Sequence, residues 1–407
     1  MERFEARGAR WRLLALGTLA VLVAACGGGT SNSSSSSSNS APYIVGGIGP
    51  LSGAAASTRA LSDGAVSYFN QMNRDGTKIN GRKVEFISMD DKGVPDTAVA
   101  DVRDLQSRGA SAIVGPQTST DLVAAVPVAK QVQIPLIAAG PTTSMLVPAQ
   151  PYVYLGDISA ISDMYFEIDF TKNYLKLPTT AKIAFIGAST TSGSEQLGVM
   201  QKQLPSAGYQ LTYTEQVPSN ATDLSSTAAK VKASGAGAVM MGLPDATATL
   251  LVNALGSLAV NVPLIDYHAV APGTVLKMNN PNFYFVRQFE LTTANNPAMK
   301  KVTAAAATDN LTDEFNGSYG FLTSWVSAAI IAAALKNCQG QCTGADMEKA
   351  LEKVKVDIPG ILFSTIQYSK TRHQAIGSGK FYHVDKPDGS LVQAGTRTYT
   401  KFLDTGV

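Results

Sequence analysis

From Tyr43 onward, short apolar runs alternate with segments of helical period, and that rhythm leaves few folds open to the chain. Tyr43–Ile48 reads as a strand. The turn Gly49-Pro50-Leu51-Ser52-Gly53 follows, then a helix that brings Leu61, Ala65, Tyr68 and Met72 onto one face. Lys83–Met89 is the next strand, and Asp96 stands as the N-cap of a helix that buries Ala98, Val102 and Leu105 and ends at Gly109. Ala112–Val114, a helix over Asp121–Val132 and Pro135–Ala139 continue the series. After Tyr152–Asp157 the pattern restarts with strand Lys182–Ile186, helix Ser194–Leu204 closed by Gly208, and strand Tyr209–Val217. Helix Asp223–Ala233, strand Ala238–Met241, helix Ala246–Leu255 and strand Val262–Ile265 complete it. Such repetition predicts an α/β protein with two doubly wound parallel sheets, each covered on both faces. The helical stretch Gly320–Leu335 and the tail after it are shared between the two units, so several crossings imply a hinge and a cleft.

The N-terminus has another character. Arg3, Arg7, Arg10 and Arg12 precede an apolar stretch from Leu13 to Ala25 that ends in Val23-Ala24-Ala25-Cys26. The stretch is too short and too rich in Ala and Gly for a transmembrane anchor, the alternative reading. It resembles a secretory signal ending in a bacterial lipobox, whose cysteine is lipidated and becomes the new N-terminus. Residues 27–41, with Gly27-Gly28-Gly29 and the serine-dominated run Ser31–Ser40, carry no apolar period and read as a flexible tether. Export would remove the four arginines with Glu2 and Glu5, taking the formal net charge from +2 to 0. No basic patch then remains to argue for nucleic acid. About 365 residues follow the tether, enough for two domains of ordinary size. With Cys26 spent on lipid, Cys338 and Cys342 remain, in a turn-like segment of an oxidising compartment. They read as a local disulfide, the alternative being two free thiols. Zinc is disfavoured by the lack of a nearby histidine.

Four segments in order carry a family resemblance: Ile48-Gly49-Pro50-Leu51-Ser52-Gly53, Asn80-Gly81-Arg82-Lys83-Val84, Asp90-Asp91 and Ile113-Val114-Gly115-Pro116. Together they resemble the leucine/isoleucine/valine-binding proteins, type I periplasmic binding proteins that serve ABC importers. The resemblance spans about Tyr43 to Asp385. It implies two lobes joined by three crossings that close around a small ligand. Residues 42–156 and 291–378 would form the first lobe, and 157–290 and 379–407 the second. It also implies an extracytoplasmic, lipid-anchored monomer without cofactor, whose partners are a small-molecule ligand (amino acid, amide or organic acid), the permease subunits and the membrane. A lipoprotein of the same fold that presents its ligand to a membrane sensor is the alternative.

In that family the ligand carboxylate is held in the first lobe by two loops. The matching residues are Ser119, in Gly115-Pro116-Gln117-Thr118-Ser119-Thr120, and Thr142, in Ala139-Gly140-Pro141-Thr142-Thr143. Both loops fall at carboxyl ends of strands, where α/β sheets bind ligands, and both open helices whose free N–H groups favour an anion. Capping those helices is a role the same hydroxyls can fill as well. Elsewhere the family pattern is lost. Thr58 and Ser192 stand where aromatic residues are expected, and His268, in Asp266-Tyr267-His268-Ala269, replaces the glutamate that pairs the ligand's ammonium. A buried ammonium without a paired charge costs several kcal/mol, so the ligand class shifts away from α-amino acids unless Asp245 or Asp266 restores the charge. Trp325 falls at a family aromatic position and reads as helix core or ligand wall, and His268 could equally be an ordinary core or surface histidine.

Catalysis is not indicated. His268, His373 and His383 are the only histidines, no pair has metal-ligand spacing, and neither a nucleophile elbow nor a phosphate loop is present. Gly46-Gly47-Ile48-Gly49 lacks the third glycine of a dinucleotide fingerprint. The N-terminal reading is checked by Cys26→Ala, which is expected to release the protein from the membrane fraction without lipid. A mutant retained there through an uncleaved N-terminal helix would contradict it.

Overall fold

The first β-strand, β1 (Tyr43–Gly49), pairs in parallel with β2 (Val84–Asp90) on one side and β3 (Ala110–Val114) on the other. With β4 (Leu136–Ala138) and β5 (Val153–Leu155) they make a five-stranded parallel sheet in the order β2-β1-β3-β4-β5. The helices between these strands are α1 (Ala60–Arg74), α2 (Pro95–Ser107), α3 (Ser119–Val132) and α4 (Thr143–Leu146). The structure, a computed structural model, describes residues 41–398 apart from 54, 141, 339, 375 and 386–388. The signal-like segment, Cys26 and all of the tether but Ala41 lie outside the described residues.

Helix α5 (Ala160–Asn173) leads to a second, seven-stranded sheet. Strands β6 (Lys182–Ala188), β7 (Gln210–Val217), β8 (Ala238–Gly242), β9 (Leu264–Asp266) and β10 (Phe283–Arg287) are parallel, with α6 (Thr191–Ser206), α7 (Ser225–Ala233), α8 (Asp245–Ser257) and α9 (Pro272–Met278) between them. The chain then forms α10 (Pro297–Thr308), α11 (Thr312–Gly317), α12 (Gly320–Lys336) and α13 (Gly344–Leu351), the small hairpin β11 (Lys355–Val356) with β12 (Ile366–Gln367), and finally β13 (Ser378–Val384) and β14 (Leu391–Thr398). These last two join the second sheet beside β10 in antiparallel fashion, giving β14-β13-β10-β9-β8-β6-β7. The expected all-parallel second sheet is therefore mixed. A C-terminal hairpin closes one edge, a common device in doubly wound sheets. The chain passes from the first sheet to the second, back to α1 with α12, and again to the second sheet with β13, so it crosses three times.

Burial follows the sequence pattern. All five residues of β3 and of β8 are buried, as expected for parallel strands covered on both faces. Helix α12 buries nearly every residue, which is why it reads as apolar all round. The helix after β2 departs in detail from expectation. Val94 is its N-cap and Pro95 its first residue, so Asp96 sits in the first turn. Proline's fixed φ and missing N–H suit the first helical position.

The turn motifs that carry the family resemblance are scaffolding for the mouth of the first sheet. The Asp90 carboxylate accepts from Leu51 N (2.8 Å), Ser52 N (3.1 Å) and the Ser52 hydroxyl (2.5 Å), which pins the Gly-Pro-Leu-Ser-Gly turn. Asp91 is fully buried, accepts from Gly93 N, and is pushed up to about 6 by burial. Asn80 Nδ2 donates to the carbonyls of Leu335 and Cys338, and Arg82 donates to Gly340 O. The NGR segment thus clamps the loop in which Cys338 and Cys342 are bonded, Cα atoms 5.5 Å apart.

Helices α1 and α12 pack closely at Gly64. A Cβ on Gly64 would lie 1.9 Å from the Phe321 carbonyl oxygen and 2.6 Å from Ser324 Oγ. Backbone cannot move aside cheaply, so Gly64→Ala is expected to destabilise by about 1–3 kcal/mol or more. Gly198, inside α6, has nothing within 4 Å of its would-be Cβ, so Gly198→Ala should stabilise by about 0.5–1 kcal/mol through helix propensity. Denaturant titrations of the two variants check this contrast; equal effects would contradict the packing account.

Candidate functional site

Carboxyl ends of strands from both sheets converge on a cavity of about 150 Å³. Gln117 and Ser119 follow β3, and Ala139 and Gly140 follow β4. From the second sheet come Ala188 at the end of β6, Thr190 and Ser192 just after it, Ser219 after β7, Pro244 after β8, and Tyr267 with His268 after β9. Ala160 and Tyr319, which precede or open α5 and α12, complete the lining. This is where open α/β sheets place ligands. The lining offers hydroxyl, amide and imidazole groups, and it contains no Asp, Glu, Lys or Arg.

Local capping separates the two neighbouring hydroxyls of the loop after β3. Thr118 is the N-cap of α3: its Oγ1 accepts from Asp121 N at 3.3 Å and donates to Asp121 Oδ2 at 2.5 Å. That leaves Ser119, the next residue, to line the cavity. Across from it, Thr190 caps α6 by accepting from Gly193 N at 3.0 Å. Gly140 lets its loop approach closely, since a Cβ there would sit 3.3 Å from Ser119 N.

Behind the lining lies a buried ionic cluster. His268, 6% exposed, places Nδ1 2.7 Å from Asp163 Oδ2 and Nε2 3.8 Å from Asp157 Oδ2. Asp157 also accepts from Thr323 Oγ1 (2.7 Å), Ile158 N (2.7 Å) and Gln288 Nε2. Arg287 Nη1 donates to the His268 carbonyl at 2.8 Å. Burial alone would lower the His268 pKa, but the two carboxylates outweigh it and hold the ring protonated above its ordinary range. Asp163 is pushed up by burial, against the pull of His268. An imidazolium between two carboxylates has little charge to spare for a ligand.

Of the residues singled out from the sequence, Ser119, Gly140, Ser192, Tyr267 and His268 come together around this cavity. Pro141 lies outside the described residues. Thr142 is buried beside it, its hydroxyl 3.1 Å from that of Ser144. The next N–H, of Thr143, is held from the opposite wall by Glu195 of α6, at 3.0 and 3.2 Å to the two carboxylate oxygens. Five residues considered for the site are placed elsewhere. Thr118 is used as a cap. The Thr58 hydroxyl donates to Ala55 O. Asp245 accepts from Ala271 N at 2.7 Å, and Asp266 accepts from Leu243 and Tyr267 N, so neither carboxylate lines the cavity. Trp325 packs edge-on to Tyr68, 5.2 Å between centroids, and lines a separate cavity with Met72 and Ile79; helix α12 turns it toward α1. Thr190, Ser219 and Tyr319 also line the cavity, beyond the residues that the sequence singles out. The first two share a usable signal, a hydroxyl just past a strand's carboxyl end; Tyr319 precedes a helix and shows none. Among the described residues, no group of three or more His, Cys, Asp or Glu is placed to hold a metal.

A family model described as periplasmic binding protein matches residues 42–390. No curated protein sequence matches the chain. Several solved structures share the fold. The branched-chain amino acid transporter substrate binding protein of Streptococcus pneumoniae, in complex with isoleucine, is 20% identical with a TM-score of 0.68, over 86% of this chain and 99% of that one. A solute binding protein of an ABC transporter from R. palustris, in complex with 4-hydroxybenzoate, is 17% identical with a TM-score of 0.73, covering 88% and 97%. A fatty acid ABC transporter substrate-binding protein from Thermomonospora curvata is 17% identical with a TM-score of 0.76, covering 90% and 96%.

The cluster makes a pH prediction. A histidine whose folded pKa is raised contributes stability that is fully present below its ordinary value of 6.5 and is lost as pH rises through the folded value. Asp163, also raised, acts in the same direction. The melting temperature lost between about pH 6 and pH 9 should therefore be smaller in the double variant His268→Gln with Asp163→Asn, which removes both titrating groups, than in the parent. Parallel melting curves for the two proteins across this window would contradict the charge assignment.

Proposed function

The chain belongs to the periplasmic binding protein family, and from that premise we propose that it is the extracytoplasmic substrate-binding component of an ABC importer of the branched-chain amino acid type. In this reading Cys26 carries the lipid anchor, 27–41 is the tether, and the lobes are residues 42–156 with 291–378 and 157–290 with 379–407. The protein binds and delivers; it does not catalyse. It works as a monomer that closes on its ligand and meets the permease subunits. The observation that carries the reading is the hydroxyl-rich cavity between the carboxyl ends of two sheets, lined without a charged carboxylate, lysine or arginine.

The ligand is a small polar metabolite lacking an α-ammonium. An ammonium would need a carboxylate facing it, and Asp245 and Asp266 are both committed to backbone N–H groups. Ser119, Gly140, Ser192, Tyr267 and His268 contact the ligand, with the Thr142 loop beside them. The bound forms named for related structures range from isoleucine to 4-hydroxybenzoate, so the fold itself leaves the ligand class to the lining.

A thermal-shift screen of the tether-free protein against amino acids, amides and organic acids tests this. A ligand that binds only the folded form raises the melting temperature by mass action. Compounds without an α-ammonium should do so, and leucine and valine should not. For a hit so found, Ser119→Ala should weaken binding about tenfold while leaving the melting temperature of the free protein nearly unchanged, as loss of one good hydrogen bond predicts. Strong shifts from leucine or valine alone would reject the ligand class.

A further inference from the structure

Glu195 reaches from α6 to the opposite wall of the cleft and places both carboxylate oxygens on one backbone N–H, that of Thr143. Thr143 directly follows Thr142, in the loop that the family resemblance assigns to the ligand's carboxylate. Ser192, which lines the cavity, lies one helical turn before Glu195 on the same helix. Among the described residues, no lysine or arginine lies within ion-pair distance of Glu195, so its charge is not cancelled on the spot. Its compensation comes from the Thr143 N–H and side chain and not from a cation. The cavity lining carries no lysine or arginine, and the one imidazolium at its edge is shared between Asp157 and Asp163.

Resting on the binding-protein reading above, we propose that Glu195 is a specificity-determining residue: it sets the protein's own carboxylate at the Thr142–Thr143 corner, and so selects ligands that present an uncharged polar group there, such as an amide, over the matching carboxylates. The physics is that of two like charges in a half-buried site, where each disfavours the other. Burial raises the Glu195 pKa, and the Thr143 N–H opposes that by favouring the ionised form. The same contact ties α6 to the opposite wall, so a ligand that displaced Glu195 would also break a tie between the walls. The expectation of a ligand anion at this corner is thereby replaced by an anion that belongs to the chain.

The test compares the parent protein with Glu195→Gln, which keeps the side chain's size and removes its charge. Calorimetry uses matched probes, isobutyramide with isobutyrate and benzamide with benzoate. The parent should prefer each amide to its acid. Glu195→Gln should raise the relative affinity for the acid by about tenfold or more. In the ligand-free proteins, the Thr143 amide resonance should move on this substitution, because its acceptor changes from a carboxylate to an amide oxygen. An unmoved Thr143 resonance would overturn the contact. A moved resonance with an unchanged acid-to-amide ratio, or with no acid bound by either protein, would make Glu195 a clasp between the walls and overturn the selection. The ligand screen of the preceding section uses the parent protein alone, so the two readings fail separately.

Discussion

The Asp157 carboxylate is the interaction on which the rest of the arrangement depends. It lies just past β5, at the first passage between the sheets, and is fully buried. Its partners come from distant segments: Gln288 follows β10 at the second passage, Thr323 belongs to α12, and the His268 ring, 3.8 Å away, follows β9. A buried carboxylate is tolerated only when its oxygens are satisfied and its charge is balanced. Here the balance is drawn from segments more than a hundred residues apart. Removing one partner would leave charge stranded at the point where the chain changes sheets, which makes this cluster a constraint on the passages as well as on the cavity.

The cavity inherits its character from that constraint. Because His268 is turned toward Asp163 and Asp157, it presents an edge to the cavity while its charge is spent behind it. Asp266 and Asp245 are drawn away in the same manner by backbone N–H groups. What remains facing the cavity is a set of hydroxyls and amides from strand ends, able to orient a ligand by hydrogen bonds without a strong charge preference of their own. Charge enters at the margin, through Glu195. Selection by the cost of an unfavourable pairing is as effective as selection by attraction.

The fold was legible because its signals are local and repeated. Apolar runs of strand length, alternating with helical periods, predict a parallel α/β sheet whatever lies far away in sequence, and β1 to β9 fall close to their expected places. The C-terminal hairpin of β13 and β14 was not legible, since its antiparallel pairing beside β10 depends on where the chain returns after α12 and α13. The site was legible only in part. Ser119, Gly140, Ser192, Tyr267 and His268 could be named from the family resemblance, and all five line the cavity at strand ends. Asp245 and Trp325 could not be sorted from them, because Ala271 N and the Tyr68 ring, which claim them, are brought there by the fold, whereas Thr58 and Thr118 are taken locally, by Ala55 O and Asp121 three residues away.

By itself, then, the sequence determined the layered α/β architecture, the two sheets, and the strand ends at which a ligand could be held, because hydrophobic period and turn chemistry act over a few residues. The family motifs were visible in the sequence, but their work is tertiary: Asp90 pins the turn at Leu51 and Ser52, and Asn80 clamps the distant cysteine loop. Only the tertiary structure decided which polar side chains face the cavity and which carry charge there. Burial and pairing are properties of neighbours, and the neighbours of His268, Asp157 and Thr143 come from the far side of the chain. A histidine that looked like a lost glutamate became a ring held between two carboxylates. A loop expected to take an anion was met by Glu195.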